Sequence, residues 1–163
     1  MPRLIETTHD TITVDHSQFL LAGWLGGRYE NPAGWPSWDE TAARAGRTDW
    51  FVVTANRGVV TSALGWHEAH ATLELWDEEP PDDGDRWDQS RTAGFYCSSG
   101  FAYLDGIYGR GPDFPMLDLR GERREWMVRA CCRRGADPGY PEDAPPLGLE
   151  EWRFQFWPAP ERP

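Results

Sequence analysis

A dense run of acidic side chains is the feature of this sequence best suited to chemistry. It comprises six carboxylates within nine residues, interrupted only by two prolines and one glycine: Asp77, Glu78, Glu79, Asp82, Asp83 and Asp85. Because no basic residue stands among them, these side chains concentrate negative charge in one segment. The whole chain has 27 acidic and 16 basic side chains, a formal net charge of −11, which reinforces that field. The pattern predicts a surface that binds a basic protein.

Two tryptophans bracket the acidic run and complete the predicted partner-binding site. Trp76 precedes Asp77 and Trp87 follows Asp85 at a distance of two residues. Aromatic side chains beside a charged rim are typical of anchors in protein interfaces. A solvated turn that only aids solubility is the alternative interpretation of such a charge run. The run lacks the Asp-x-Asp-x-Asp-Gly order of the common calcium loop, so we predict no calcium site.

Three of the histidines have positions that could suit a metal ligand or a catalytic base. His67 and His70 are three residues apart, so in a strand they face opposite sides of the sheet, and we predict no metal site. His16 alternates with Ile12 and Val14, which predicts an imidazole that points inward near a strand end. A small hydrolase that uses His16 or His70 with nearby acids in a concave pocket is retained as an alternative function.

Other nucleophiles and cofactor motifs give no positive signal. Ser98 and Ser99 lie between aromatic strand residues without the strand-turn-helix context of a nucleophile elbow. No glycine loop of a phosphate-binding kind occurs, so the sequence predicts no cofactor and no catalytic residue. The three cysteines, Cys97, Cys131 and Cys132, lack a paired or metal-type spacing and are predicted to be buried free thiols.

Composition limits the remaining classes of function. The net negative charge opposes direct binding to nucleic acid phosphates. The N-terminus lacks the apolar core of a signal peptide and no apolar run is long enough to span a membrane, so we expect a cytoplasmic protein. All 16 basic side chains are arginines. Two groups of them, able to pair with the acids in cis or in trans, are Arg120, Arg123 and Arg124, and Arg129, Arg133 and Arg134.

Alternation of apolar and polar residues predicts the fold class. It is clearest at the C-terminal end, where Trp152, Phe154 and Phe156 share one face of a strand that Pro158 ends. The 163 residues suit one domain, covering 1–163, with a core of its own. We predict an antiparallel, all-β sandwich of about eight strands. The predicted strands are 11–19, 51–54, 59–62, 69–76, 92–104, 116–119, 126–133 and 152–157.

One short helix is expected between the first strands. Ser37 and Glu40 have the spacing of a capping box, and the alanine-rich stretch that follows ends at Gly46. Between the strands 51–54 and 59–62, the sequence Ala55-Asn56-Arg57-Gly58 predicts the turn of a hairpin.

The ten tryptophans raise a further alternative, a sugar-binding β-sandwich. Exposed, coplanar indole rings can stack on the C–H faces of sugars. Alternation and position leave five tryptophans free to be exposed: Trp24, Trp35, Trp76, Trp87 and Trp157.

Several short motifs, taken in order, resemble a known family. They are Asp15-His16-Ser17-Gln18-Phe19, Trp38-x-Glu40 followed by Ala42-Ala43 and Gly46, and the closing Phe156-Trp157-Pro158. An acidic loop after a Leu-x-Leu strand and a late Val-Arg strand add to the similarity. Together they resemble the competence-J nuclease-inhibitor family of small bacterial β-sandwich proteins. The resemblance implies a non-enzymatic protein that binds and restrains a bacterial DNA-degrading enzyme associated with DNA uptake.

Overall fold

The computed structural model describes residues 1–26 and 30–161, and this part of the chain is built almost entirely from β-strands. The ten strands are β1 Leu4–Val14, β2 Gln18–Ala22, β3 Phe51–Thr54, β4 Arg57–Thr61, β5 His67–Trp76, β6 Gln89–Cys97, β7 Phe101–Gly106, β8 Leu117–Asp118, β9 Arg124–Arg134 and β10 Leu147–Pro158. One helix, α1, covers Trp38–Arg44, and one turn of 3₁₀ helix covers Gly84–Arg86. The predicted all-β class with one short helix is confirmed.

The strands form two five-stranded sheets that pack face to face. Sheet A has the order β1-β5-β10-β9-β6, and sheet B has the order β3-β4-β2-β7-β8. Among the strand pairs of the described residues, β5 and β10 alone run parallel. None of the helices in the same part of the chain has the length and apolar character that a membrane crossing needs.

The strand count is ten and not eight because two predicted strands are each broken by a turn. The segment 11–19 divides into the end of β1 and the start of β2, where His16 and Ser17 adopt positive φ angles of 50° and 63°. The segment 92–104 divides at Gly100, whose φ is 81°, so β6 lies in sheet A and β7 in sheet B. Left-handed backbone at these positions turns the chain from one layer to the other.

Aromatic side chains from both sheets fill the space between the layers. Phe19 of β2 makes edge-to-face contacts with Trp152 and Phe154 of β10, at centroid distances of 5.2 and 6.2 Å. Each such pair contributes roughly 0.5–1.5 kcal/mol beyond the area that it buries. The predicted inward faces of β9 and β10 are confirmed, since Trp126 and Phe154 are 3% and 0% exposed. This aromatic core joins the inner faces of the two sheets and leaves the other face of sheet A turned outward.

The predicted helix and hairpin are also confirmed. Ser37 accepts a hydrogen bond from the Glu40 amide at 3.2 Å, and Glu40 Oε2 accepts one from the Ser37 amide at 2.8 Å. Gly46, with a φ of 69°, follows the end of the helix. Asn56 supplies the positive φ of the turn that joins β3 to β4.

Candidate functional site

The predicted partner-binding segment, called the acidic loop below and covering Trp76 to Trp87, crosses the outer face of sheet A. Residues 77–88 join β5 to β6, but β10 and β9 lie between these two strands in the sheet. The connection must therefore cross three strand spacings of about 4.8 Å, roughly 14 Å. Twelve residues exceed that distance when extended, which leaves room for the 3₁₀ turn over Gly84–Arg86. Strand order thus brings the acidic loop over side chains from distant parts of the sequence.

Arginines of the sheet neutralise part of the acidic loop. Arg129 Nη2 of β9 lies 2.8 Å from Glu79 Oε1. Arg153 of β10 makes a bidentate pair with Asp83, in which Nη1 lies 2.9 Å from Oδ2. The six carboxylates therefore do not form an uncompensated cluster, contrary to the expectation from their spacing. Arg129, from one of the two arginine groups noted in the sequence, pairs with the run in cis.

The N-terminal residues add three contacts to the start of the loop. The Arg3 amide donates to Asp77 Oδ1 at 2.7 Å, and Arg3 Nε lies 3.6 Å from Asp77 Oδ2. The N-terminal amine lies 3.4 Å from Glu78 Oε1, and both of these groups are exposed. Exposed pairs of this kind contribute little to stability, roughly 0–1 kcal/mol each.

Two carboxylates of the acidic loop, those of Asp82 and Asp85, are exposed and make no ion pair with the described residues. Asp82 is exposed and accepts a hydrogen bond from the Gly84 amide at 3.0 Å. Asp85 is exposed, and within residues 1–26 and 30–161 it makes no ion pair. The accessible negative edge of the loop consequently consists of Asp82 and Asp85, together with the exposed Glu78.

A layer of stacked arginine and tryptophan side chains lies beneath the loop. The guanidinium carbons of Arg153 and Arg133 lie 4.6 and 5.0 Å from the ring centroid of Trp87. Arg129 lies 5.3 Å from the Trp157 ring, and its side chain is only 8% exposed. Guanidinium groups over indole rings are favourable cation–π contacts, which strengthen when removed from water. This layer fixes the path of the loop across the sheet.

The Asp83–Arg153 pair is charged across the neutral pH range. The hydrogen bond from Arg153 lowers the pKa of the Asp83 carboxyl, and it outweighs burial, which acts in the opposite direction. The same residue pair ties the centre of the acidic loop to β10. Asp83 therefore holds the loop on the sheet and is not free to contact a partner.

The two tryptophans at the ends of the loop are half-buried. Trp76 donates from Nε1 to Glu74 Oε2 at 2.9 Å, on the outer face of β5. Trp87 presents its ring to Arg133 and Arg153 of the sheet. Both rings thus contact the protein itself and leave part of their surface at the rim of the loop.

The histidines differ in how far their side chains are exposed to solvent. His67 is fully buried and His70 is exposed, so the prediction that they face opposite sides of β5 is confirmed. The prediction for His16 is wrong: its side chain is 70% exposed, with Nδ1 2.9 Å from Asp15 Oδ1. The reason is that β1 ends at Val14, so the alternation does not continue into the turn. Within the described ranges, no three His, Cys, Asp or Glu side chains are arranged to hold a metal ion.

The structure contains a buried polar network around His67 that the sequence patterns did not predict. Ser62 Oγ donates to Glu150 Oε2 at 2.8 Å, and Trp152 Nε1 donates to the same oxygen at 3.1 Å. His67 Nε2 lies 3.1 Å from Ser62 Oγ and 3.5 Å from Glu150 Oε2. Since the Ser62 proton is used by Glu150, we assign the imidazole proton to Nε2. The inward alternation of His67 with Ala69, and of Glu150 with Trp152, was the signal that could have revealed this network.

This network has a structural role, although it contains the residue types of a hydrolytic triad. In a triad the acid orients the imidazole through the ring nitrogen opposite to the serine. Here serine and glutamate both meet Nε2, while Nδ1 is buried without a hydrogen-bond partner. His67 is 0% exposed, so no substrate reaches it. The network joins the β4–β5 connection to the start of β10.

The buried histidine leads to an expected pH dependence of stability. Burial lowers the pKa of His67 from its ordinary value of 6.5, against the opposing effect of Glu150. The unfolded chain therefore binds this proton more tightly, and the free energy of unfolding should fall as the pH drops from 7 to 5. Because a single proton is involved, the free energy of unfolding can change by at most about 1.4 kcal/mol per pH unit. The ordinary pKa of the Asp83 carboxyl is 3.8, and its folded-state pKa is lower. Its contribution to stability is therefore lost only at pH values below 3.8, outside this window.

Urea denaturation at pH 7, 6 and 5 measures this effect. His67→Gln should flatten the slope of stability against pH, because the titrating group is gone. His70→Gln, on the exposed face of the same strand, should leave the slope as in the parent protein. An unchanged slope in His67→Gln would show that another group causes the pH dependence.

The other candidate nucleophiles are buried in the core. Cys97 is 0% exposed, and burial raises the pKa of its thiol, with hydrogen bonds acting in the opposite direction. Cys131 and Cys132 are also buried free thiols, as predicted for all three cysteines. Ser99 Oγ donates to the Gly23 carbonyl at 2.9 Å, which explains its burial as part of a turn.

The tryptophans do not follow the exposure expected for a sugar platform. Trp157, predicted to be free for exposure, is 6% exposed and lies under Arg129. Trp66, assigned to a strand end in the sequence, is 56% exposed in the loop before β5. The other candidates are half-buried: Trp24, Trp35, Trp76 and Trp87.

Comparison with solved structures defines the class of fold. The chain has the fold of the competence-J inhibitors, and the resemblance inferred from its motifs is confirmed at that level. One match is the crystal structure of ComJ, inhibitor of the DNA degrading activity of NucA, from Bacillus subtilis. It has 8% identity and a TM-score of 0.57, over 98% of this chain and 99% of that chain.

A second solved structure has the same fold. It is the crocagin biosynthetic gene J protein, at 10% identity and a TM-score of 0.54, over 96% of this chain and all of that chain. No protein-family model and no curated protein matches the sequence. The similarity therefore rests on three-dimensional architecture, with the chains aligned over nearly their full lengths.

Proposed function

We propose that residues 1–163 form one β-sandwich domain that acts as a non-enzymatic protein-binding module and restrains a basic partner such as a nuclease. The observation that carries the proposal is the acidic loop, which is fixed on sheet A and keeps an accessible negative edge. A nuclease surface that receives phosphates is cationic, so an acidic protein is complementary to it. The ComJ-like fold supports the same class of partner.

Rigidity of the acidic loop favours binding over mere solubility. A flexible acidic segment would lose conformational entropy when it docks, whereas a fixed one has already lost it. Glu79 and Asp83 hold the loop through Arg129 and Arg153, and Asp82 and Asp85 project from it. The paired carboxylates hold the loop on the sheet, whereas Asp82 and Asp85 are free to contact a partner. Asp82 and Asp85 are therefore the residues to test.

The proposed function predicts inhibition of nuclease activity. Purified protein is titrated into DNA degradation assays with a panel of bacterial nucleases that includes NucA. We expect saturable inhibition of at least one of them, with binding that weakens as salt screens the charges. Activity of every nuclease at full level in the presence of excess protein would overturn the proposal.

The contribution of the acidic loop is tested on the inhibited nuclease by binding kinetics. Asp82→Asn combined with Asp85→Asn should lower the association rate about three- to tenfold at low salt, with a smaller change in dissociation. A control with the same net charge is Asp39→Asn combined with Glu161→Gln, since both of these residues are exposed and lie outside the loop. Equal rates for the two double variants would remove the acidic loop from the interface.

A further inference from the structure

One end of the sandwich collects four connections that carry exposed aromatic and apolar residues. The strand register places the end of β1 beside the start of β5, and the end of β9 beside the start of β10. It also places the start of β2 beside the ends of β4 and β7. The connections 15–17, 62–66 and 135–146, and the start of the connection 107–116, therefore meet at this end.

The apolar residues of this end are unusually accessible. Of the seven exposed large hydrophobic residues in the described chain, four lie here: Leu64, Trp66, Tyr108 and Tyr140. The three aromatic residues are 56%, 77% and 71% exposed, respectively. Exposed aromatic residues gathered in one area mark interaction surfaces, because single apolar residues are normally scattered. We call the surface formed by these four residues the aromatic end.

A preformed groove runs through the aromatic end. It has a volume of about 530 Å³ and is lined by Leu64, Arg134, Gly135, Pro138, Tyr140 and Leu149. Backbone hydrogen bonds in both directions between Gly139 and Leu147, at 2.7 and 2.9 Å, hold one wall. The Leu64 amide donates to Ser62 Oγ at 3.0 Å, which links the other wall to the buried network. The groove is thus shaped before any partner arrives.

Charge at the aromatic end identifies the chemistry of its partner. The segment 136–146 contains Asp137, Glu142 and Asp143, all exposed, and has no basic side chain. Within residues 1–26 and 30–161 these three carboxylates make no ion pair, unlike Glu79 and Asp83 of the acidic loop. Arg134, which is exposed, is the one basic residue among those that line the groove. An apolar groove beside uncompensated carboxylates is complementary to a basic protein segment that carries a large apolar side chain.

We infer that the aromatic end is a docking surface for a basic protein segment, and that a large apolar side chain of that segment enters the groove between Leu64 and Tyr140. This inference deepens the proposed function, on which it rests for the class of partner. The aromatic end would anchor the complex, while the acidic loop on the outer face of sheet A would steer its formation. Buried aromatic contacts dominate interface affinity, whereas exposed charges act chiefly on association rate.

The test uses a phage-displayed library of random 12-residue peptides selected on the immobilised full-length protein. We expect the selected peptides to combine arginine or lysine with a large apolar residue, and to bind as synthetic peptides in solution. Trp66→Ser combined with Tyr140→Ser should weaken that binding about tenfold or more. Circular dichroism and thermal unfolding verify that the variant is folded, which its exposed positions favour.

Matched variants separate this inference from the proposed function. Leu4→Ser combined with Met116→Ser removes two exposed apolar residues outside the aromatic end and should leave peptide binding unchanged. Peptides without basic residues, or equal binding by the two double variants, would overturn the inference. So would a concentration-dependent dimer in analytical ultracentrifugation that Trp66→Ser with Tyr140→Ser abolishes, because the surface would then belong to a second copy of the chain.

The nuclease assay completes the separation. Inhibition that Asp82→Asn with Asp85→Asn slows, but that Trp66→Ser with Tyr140→Ser leaves intact, would overturn the aromatic end as anchor and support the proposed function. Basic peptides that bind at the aromatic end without any nuclease being inhibited would support the docking surface and overturn the proposed function.

Discussion

Replacing Glu150 by alanine is expected to lower the free energy of unfolding by about 3 kcal/mol. Glu150 is 7% exposed, and its Oε2 atom accepts hydrogen bonds from Ser62 and Trp152. Alanine would leave the indole N–H buried without an acceptor, and a buried unsatisfied group costs roughly 1–3 kcal/mol. The cavity left by the side chain adds to that loss.

The adjacent residue provides the control for this prediction. Glu151 points to the opposite face of β10 and pairs with Arg133 on the partly exposed outer surface. Glu151→Ala should therefore cost no more than about 1 kcal/mol. Glu150→Gln keeps one side-chain oxygen as acceptor and should fall between the two. Urea denaturation gives all three values, and similar losses for Glu150→Ala and Glu151→Ala would contradict a stabilising role of the buried network.

Local alternation was sufficient to predict the faces of the central strands. The inward residues of β9 and β10, and the opposite faces of His67 and His70, follow from the two-residue period of a strand. That period is a property of neighbouring residues, so it can be seen without knowing which strands pair. The capping box at Ser37 is local in the same sense, since the four residues from Ser37 to Glu40 contain all of its geometry.

Two chain reversals inside predicted strands explain the errors in strand number and in the position of His16. Glycine or asparagine usually marks positive φ, and Gly100 carried that mark within a segment interpreted as one strand. His16 and Ser17 adopt positive φ although neither is a glycine or an asparagine. The apolar–polar alternation of β1 was therefore extended, wrongly, through the turn. The predicted inward position of His16 depended entirely on that continuation.

The arrangement of the acidic loop depended on information that local patterns lack. Glu79 and Arg129 are 50 residues apart, and Asp83 and Arg153 are 70 residues apart. They meet because β10 and β9 lie between β5 and β6 in sheet A. Strand order is a long-range property, so the sequence predicted the charge of the loop but left open whether arginines would pair with it in cis or in trans.

Replacing Arg129 by alanine is expected to release the acidic loop and lower the free energy of unfolding by about 2–4 kcal/mol. Besides Glu79, the Arg129 guanidinium donates to the carbonyl oxygens of Pro80 and Pro81, at 3.2 and 3.3 Å. These acceptors would lose their donor, and the Trp157 ring would lose the guanidinium that stacks on it. The contact with Pro80 is buried, so its carbonyl oxygen would be left without a hydrogen-bond donor, which costs more than the loss of an exposed bond.

Hydrogen exchange distinguishes loop release from general destabilisation. Amides of residues 82–88, such as those of Arg86 and Trp87 in the 3₁₀ turn, should exchange faster in Arg129→Ala while those of β10 remain protected. Arg91→Ala is the control, because Arg91 also pairs with a carboxylate, that of Asp49, but is half exposed and lies outside the loop. It should cost no more than about 1 kcal/mol and leave the loop amides unchanged. If the loop amides of Arg129→Ala keep their parent exchange rates, the arginine layer does not fix the acidic loop, and the preorganisation on which its binding role rests is lost.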